Sequence, residues 1–190
     1  MNEKEICFIM CTNNQKYMEE ALYYITKLRV PDGYELTFLA IEDAKSMTAG
    51  YNEGMQASNA KYKIYLHQDT FIIYPKFLID TIKLMEENSQ IGMLGMIGTP
   101  QMPQSGIMWE SDRVGKVYED HIYETTIRSG EIEETKEYTE VEAIDGLLMM
   151  TQYDISWRED LFDKWDFYDA SQSKARGLVF IRLSRAQTPS

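Results

Sequence analysis

Three short apolar runs, each ending abruptly in polar residues, alternate with two stretches of helical spacing. Glu5–Cys11 runs into Thr12-Asn13-Asn14, a turn-and-cap cluster. Tyr17, Ala21, Tyr24, Ile25 and Leu28 then recur at helical spacing, which predicts a helix over Gln15–Leu28. After the turn Pro31-Asp32-Gly33, Tyr34–Ile41 reads as a second strand that ends at Glu42-Asp43, and Ser46–Ser58 as a second helix. Tyr62–Leu66 is a third strand, rich in aromatic and β-branched residues, and it runs out into His67-Gln68-Asp69. This alternation with short links predicts an α/β domain with a mainly parallel central sheet, helices on both faces and right-handed crossovers. The three strand ends then gather on one rim, where such sheets bind ligands. A carboxylate at that rim, Asp69, with His67 and Gln68 beside it, suits a metal or a phosphate. It equally suits a simple cap on the next segment of chain.

The second half is less regular. Pro75 opens a helix over Phe77–Glu87. Ile91–Ile97 reads as one buried strand, Thr99–Gly106 as a loop, and Ile107–Tyr118 as a hairpin turning near Ser111–Gly115. Arg128–Glu140 is acid-rich and reads as a solvated hairpin or loop. Val141–Thr151 reads as a buried strand with Asp145-Gly146 inside it. A carboxylate there needs a partner, so Asp145 is either a hydrogen-bond hub or a site residue. Trp157–Asp169 mixes aromatics with acids and reads as a helix or turn on the sheet. Gln172–Ser190 holds four bases and no acid. The domain is expected over 1–173, with an atypical basic tail over 174–190.

A chain of 190 residues fits one domain. Its net charge of -12, from 31 acids and 19 bases, argues against general affinity for nucleic acid or anionic membrane. Local binding of a phosphate through backbone N–H groups or a divalent cation stays open. Cys7 and Cys11, four apart on a strand, lie about 13 Å from each other and point the same way. They read as buried thiols in a reducing compartment, without a mutual disulfide. The acidic start is unlike a signal peptide and no long apolar stretch exists, so a cytoplasmic chain without a transmembrane segment is expected. The aromatic-rich surface stretches leave room for a homodimer.

The early CTNN, the block SMTAGYNEGMQASNAKYKIYLHQDTFI, then IGMLGMIG, GIMW, IDGLLMMT and WREDLFDKWDFYDASQS resemble the family-2-like glycosyltransferases of bacteria. They resemble in particular the small group whose strand ends in LHQD. The resemblance implies a GT-A fold, a UDP- or GDP-linked sugar donor, a glycan or other hydroxyl acceptor, and Mn²⁺ or Mg²⁺. It implies that Thr12 and Asn13 lie against the nucleoside, that Glu42 and Asp43 read the base, and that Ser46 and Asn52 stand beside it. It assigns Gln68 to the donor as well. His67 and Asp69 fall where the family carries its metal-holding Asp-x-Asp, with His67 in place of the first acid. WDFYD falls near the block that carries the general base of inverting transfer, which makes Asp166 the first candidate, then Asp169 and Asp163. Phe167 replaces an acid of that block. Trp109 and Asp145 are the candidates on the acceptor side, where Trp109 or Trp165 stacks on a sugar or is simply buried. Relatives continue into a segment whose His completes the metal site. The tail here does not resemble it, and a truncated or frame-altered C-terminus is expected.

Two other readings compete with transfer in glycan or cell-surface polysaccharide synthesis. The same fold can hold a nucleotide or sugar without turnover, which the replaced acids favour. A nucleotide-sugar hydrolase or pyrophosphorylase is disfavoured, because the chain lacks a Gly-rich phosphate loop and a basic cluster.

Overall fold

Alternate residues of one strand face two separate cores. In β1 (Asn2–Thr12), Ile6, Phe8 and Met10 point to one side of the sheet, and Cys7, Ile9 and Cys11 to the other. The first side is covered by α1 (Gln15–Ile25) and α3 (Phe77–Glu87), through Ala21, Ile25, Phe77, Leu78, Ile82 and Met85. The second is covered by α2 (Met47–Ala57), through Tyr51 and Met55, and by α4 (Tyr168–Ala175), through Tyr168. Both faces of the strand are therefore buried, and each of these large apolar side chains contributes roughly 1.5–3 kcal/mol by leaving water. The computed structural model describes residues 1–121, 124–129, 138–175 and 179–182.

The central sheet has seven strands. In chain order they are β1, β2 (Glu35–Glu42), β3 (Ala60–Leu66), β4 (Met93–Gly95), β8 (Tyr138–Val141), β10 (Leu148–Thr151) and β11 (Val179–Arg182). Across the sheet the order is β2-β1-β3-β10-β4-β11-β8. All run the same way except β10 and β8. A second, antiparallel sheet of order β7-β6-β5-β9 adds β5 (Ile97–Thr99), β6 (Val114–His121), β7 (Glu124–Ser129) and β9 (Ala143–Ile144).

The first half follows the sequence reading in order and kind, but α1 ends at Ile25 and not at Leu28, and Ser46 and Ser58, the expected ends of the second helix, are the caps of α2. Four expectations in the second half need correction. Ile91–Ile97 is two strands in two sheets. The chain bends at Met96, just after Gly95, where Ile144 Cδ1 would lie 2.7 Å from any Cβ. Val141–Thr151 is three short strands, broken at Glu142 and at the turn Asp145–Leu147. Ile107–Tyr118 is no hairpin. Met108–Glu110 winds into a 3-10 turn, held by Ser111 N–H on Met108 O, and the chain then enters β6. Gly115 lies inside β6 at φ 104 and against the Met96 carbonyl, so it marks a close approach of two backbones and not a hairpin tip. Gly115→Ala should cost about 2 kcal/mol or more, the order expected for a strained backbone conformation. A urea midpoint equal to that of the parent would refute this. Fourth, the domain does not end at 173. Val179–Arg182, placed in the basic tail, pairs with both β4 and β8. The rest of that tail, 176–178 and 183–190, and the middle of the acid-rich segment, 130–137, lie outside the described residues.

Cys7 and Cys11 are buried and unbridged, and burial pushes the Cys11 thiol up to about 12. Among the described residues no helix is long and apolar enough to cross a membrane.

Candidate active site

The parallel register aligns the strand ends. Thr12 sits opposite Glu42, and β3 ends beside them at His67–Asp69. β10 runs against β3, with Leu148 opposite Leu66, so it begins on the same rim. The turn ahead of it, Asp145–Leu147, is thereby carried to the rim as well. Its N–H groups show what it organises. Asp145 N–H donates to Ile97 O at 2.9 Å and ties the turn to β5. Leu147 N–H donates to Asp145 Oδ1 at 2.9 Å. Gly146 N–H donates to Asp169 Oδ2 at 3.1 Å, which docks the first turn of α4. Leu147 O in turn accepts from His67 N–H at 3.1 Å.

Tyr168 makes the second link between α4 and the rim. Its hydroxyl bonds His67 Nε2 and lies over Gly146, where it would collide with any Cβ. Beneath it Tyr51, Tyr65 and Trp157 pack ring to ring at 4.8–5.0 Å between centroids. This aromatic floor holds water away from the underside of the site.

Burial sets the charges. It pushes the Asp169 carboxyl up to about 6, opposed by Ala170 N–H at 2.7 Å and reinforced by the nearby charge of Asp145. Asp145 is also raised by burial, against hydrogen bonds from Leu147 N–H and the Trp109 side chain and the charge of His67. His67 is lowered by burial, against the pull of Asp145 and Asp69. Burial raises Tyr168 far above the ordinary phenol range, so the phenol stays protonated in its hydrogen bond with His67 Nε2.

The residues singled out in the sequence divide into groups. Thr12, Asn13 and Gln68 come together in one hydrogen-bonded set. Glu42 and Asp43 are exposed on the rim, Asp43 in the left-handed region at φ 56. Ser46 and Asn52 turn inward. Ser46 Oγ accepts from Ala49 N–H at 3.1 Å, and Asn52 exchanges two hydrogen bonds with the Trp157 backbone at 2.8 and 3.0 Å. Asp163, Trp165 and Asp166 are exposed on the turns before α4. Phe167, 51% exposed, holds a left-handed backbone at φ 59. Asp145 proves to be a hub, and it stands among the site residues too.

Among the described residues no three His, Cys, Asp or Glu side chains gather as a metal cage. His67 Nε2 already faces Tyr168, while the Asp69 carboxylate is exposed. Such a donor set fits a hard divalent cation only in the manner of Mg²⁺ on one carboxylate, with a ligand's phosphate oxygens supplying the rest.

Sequence reasoning missed Tyr168 and the aromatic floor. The signal was weak. Tyr168 was one aromatic of several in WDFYD, and only the docking of α4 distinguishes it from its exposed neighbours Trp165 and Phe167.

A mainly parallel sheet with helices on both faces and a switch of strand direction beside this rim is the arrangement of the GT-A fold. The chain belongs to the glycosyltransferase-like family, whose model matches residues 7–177. Among solved structures it is similar to A197 from STIV, with a TM-score of 0.52, 8% identity, and coverage of 95% of this chain and 82% of that one. It is also similar to the 1–349 fragment of S. aureus TarS. In complex with UDP that fragment gives a TM-score of 0.57 at 12% identity, and without it 0.53 at 14%. The chain spans 57% of the TarS fragment, which in turn covers 93% of this chain. No curated protein matches the sequence.

Proposed function

We propose that this chain transfers a sugar from a nucleotide diphosphate, UDP before GDP, to a hydroxyl acceptor. The reaction is inverting and assisted by Mn²⁺ or Mg²⁺, and it serves glycan or cell-surface polysaccharide synthesis on the cytoplasmic side. The observation that carries this reading is Asp169. It is a largely buried carboxyl, raised to about 6, at the start of α4 on the rim that bears Asp69. A base poised near neutrality is what deprotonation of an acceptor hydroxyl needs. Asp166 is exposed and has no such environment, so Asp169 takes the role first given to Asp166. UDP in the TarS complex supports the choice of base.

The remaining roles rest on position. Thr12, Asn13, Glu42 and Asp43 line the nucleoside end. Trp109, with its side chain bonded to Asp145, the residue 39% exposed and Arg113 over its ring at 5.3 Å, is the candidate to stack on an acceptor. Asp69 would hold the cation against the donor diphosphate. When bound, that cation offsets charge developing on the leaving group.

Titrating UDP into the protein in Mn²⁺ and in EDTA tests the reading. Binding is expected in Mn²⁺ only. Asp69→Ala should weaken it by at least about 10- to 100-fold, a range already typical of outer partners of a metal site. Unchanged binding by Asp69→Ala would remove the cation from this residue. Metal-dependent binding with no donor turnover would favour the non-catalytic alternative, for which His67 in place of an acid speaks.

A further inference from the structure

β1 and β3 are paired only as far as Ile9 and Tyr65. Beyond that pair β1 continues along β2 to Thr12, while β3 runs on toward Asp69. The donor site of the proposed transferase falls at these two strand ends, and one side chain links them. Gln68 Oε1 accepts from the Thr12 hydroxyl at 3.0 Å and from the N–H groups of Asn13 and Asn14, both at 3.1 Å. Gln68 Nε2 donates to Asn13 Oδ1 at 2.9 Å. Three donors fill the two lone pairs of the amide oxygen, while Nε2 spends one of its two N–H groups on Asn13. Asn14 is also the N-cap of α1, accepting from Lys16 N–H at 3.1 Å and Tyr17 N–H at 3.4 Å. The brace therefore reaches from β3 to the start of that helix.

We propose that Gln68 is a positioning residue that fixes the spacing of the β1 and β3 ends at the donor site, acting on the donor through Thr12 and Asn13. This rests on the donor-binding reading. The residue type fits the task. The rim already carries Glu42, Asp43 and Asp69, and its ligand would be a diphosphate. A carboxylate would satisfy the same N–H groups but add a charge facing that ligand. A neutral amide supplies the acceptor without the charge. On the other side of β3, His67 is tied to Tyr168 and to Leu147 O. The two residues ahead of Asp69 thus brace the strand end on opposite flanks, and Asp69 faces solvent.

Amide hydrogen exchange of the ligand-free protein, read by NMR at Asn13 and Asn14, gives one measurement, and the UDP dissociation constant in Mn²⁺ gives the other. In Gln68→Ala, exchange at both amides should accelerate about tenfold, as loss of one or two net hydrogen bonds implies, and UDP should bind about tenfold more weakly. In Gln68→Glu, protection of the two amides should stay near the parent level while UDP affinity still falls, because the carboxylate keeps the three acceptor bonds, loses only the donor to Asn13 Oδ1, and adds the charge. Parent-level protection in Gln68→Ala would overturn the proposal, whether or not UDP affinity fell, since a direct ligand contact alone would behave that way. If the parent protein binds neither UDP nor GDP, the donor reading fails, and accelerated exchange still decides whether Gln68 braces the rim.

Discussion

Asp169→Asn should lower sugar transfer by about 10²- to 10⁴-fold, the range lost with a general base. Binding of UDP with Mn²⁺ should stay within about twofold of the parent, because the role proposed for Asp169 is on the acceptor hydroxyl and not on the diphosphate. The same variant should change the pH response. With the carboxyl raised to about 6, the basic form accumulates as pH rises through that value, so the rate should climb through about pH 6 and then level. Stability should move the opposite way. A carboxyl raised in the folded state favours folding when protonated. Its contribution is complete below its unfolded value near 4 and is lost as pH rises through 6. Denaturant midpoints taken from pH 4 to 7 should show this slope in the parent and lack it in Asp169→Asn. Asp166→Asn, on an exposed turn, is expected to leave rate and slope alone. A collapse of activity in that variant instead would return the base to Asp166.

The second large effect concerns stability. Lys63 lies in the middle of β3 and is fully buried. Its ammonium donates to Ala60 O at 2.6 Å and to both carboxylate oxygens of Asp154, at 2.8 and 3.1 Å. Removing one partner of a buried pair leaves the other charge without compensation, a loss of about 3–5 kcal/mol. The Asp154 side chain is 35% exposed, so water re-solvates part of the site. Asp154→Ala is therefore expected near the lower end, about 3 kcal/mol by urea denaturation. Lys63→Met, which replaces charge by an apolar side chain of similar length, should come within about 1 kcal/mol of the parent or above it. If Asp154→Ala unfolds at the parent midpoint, the pair does not hold β3 to the segment after β10.

The first half of the fold was legible because its rules are local. Short apolar runs, helix spacing and turn residues set β1 through α3, and parallel connection alone places Thr12, Glu42 and His67–Asp69 on one rim. The second half was not, because all its strands but β6 and β7 are two to four residues long, and they are shared between two sheets. No periodicity distinguishes Met93–Gly95 from Ile97–Thr99 when both are buried and contiguous. The Ser111–Gly115 stretch has turn composition, but its glycine serves a close approach to Met96 that only the packed sheet creates. Lys63 gave no signal either, since its partner Asp154 lies 91 residues away.

By itself the sequence determined the α/β alternation, the rim and the presence there of Asp69, Gln68 and His67, since each arises from contacts between near neighbours in the chain. Tertiary structure decided what those residues touch. It turned Gln68 to the β1 loop and His67 to Tyr168, buried Ser46 and Asn52 in structural hydrogen bonds, and left Asp166 in solvent. It also raised Asp169 by burying it beside Asp145. Burial and long-range hydrogen bonds set these roles, and neither exists until α4 and the Asp145–Leu147 turn dock on the sheet.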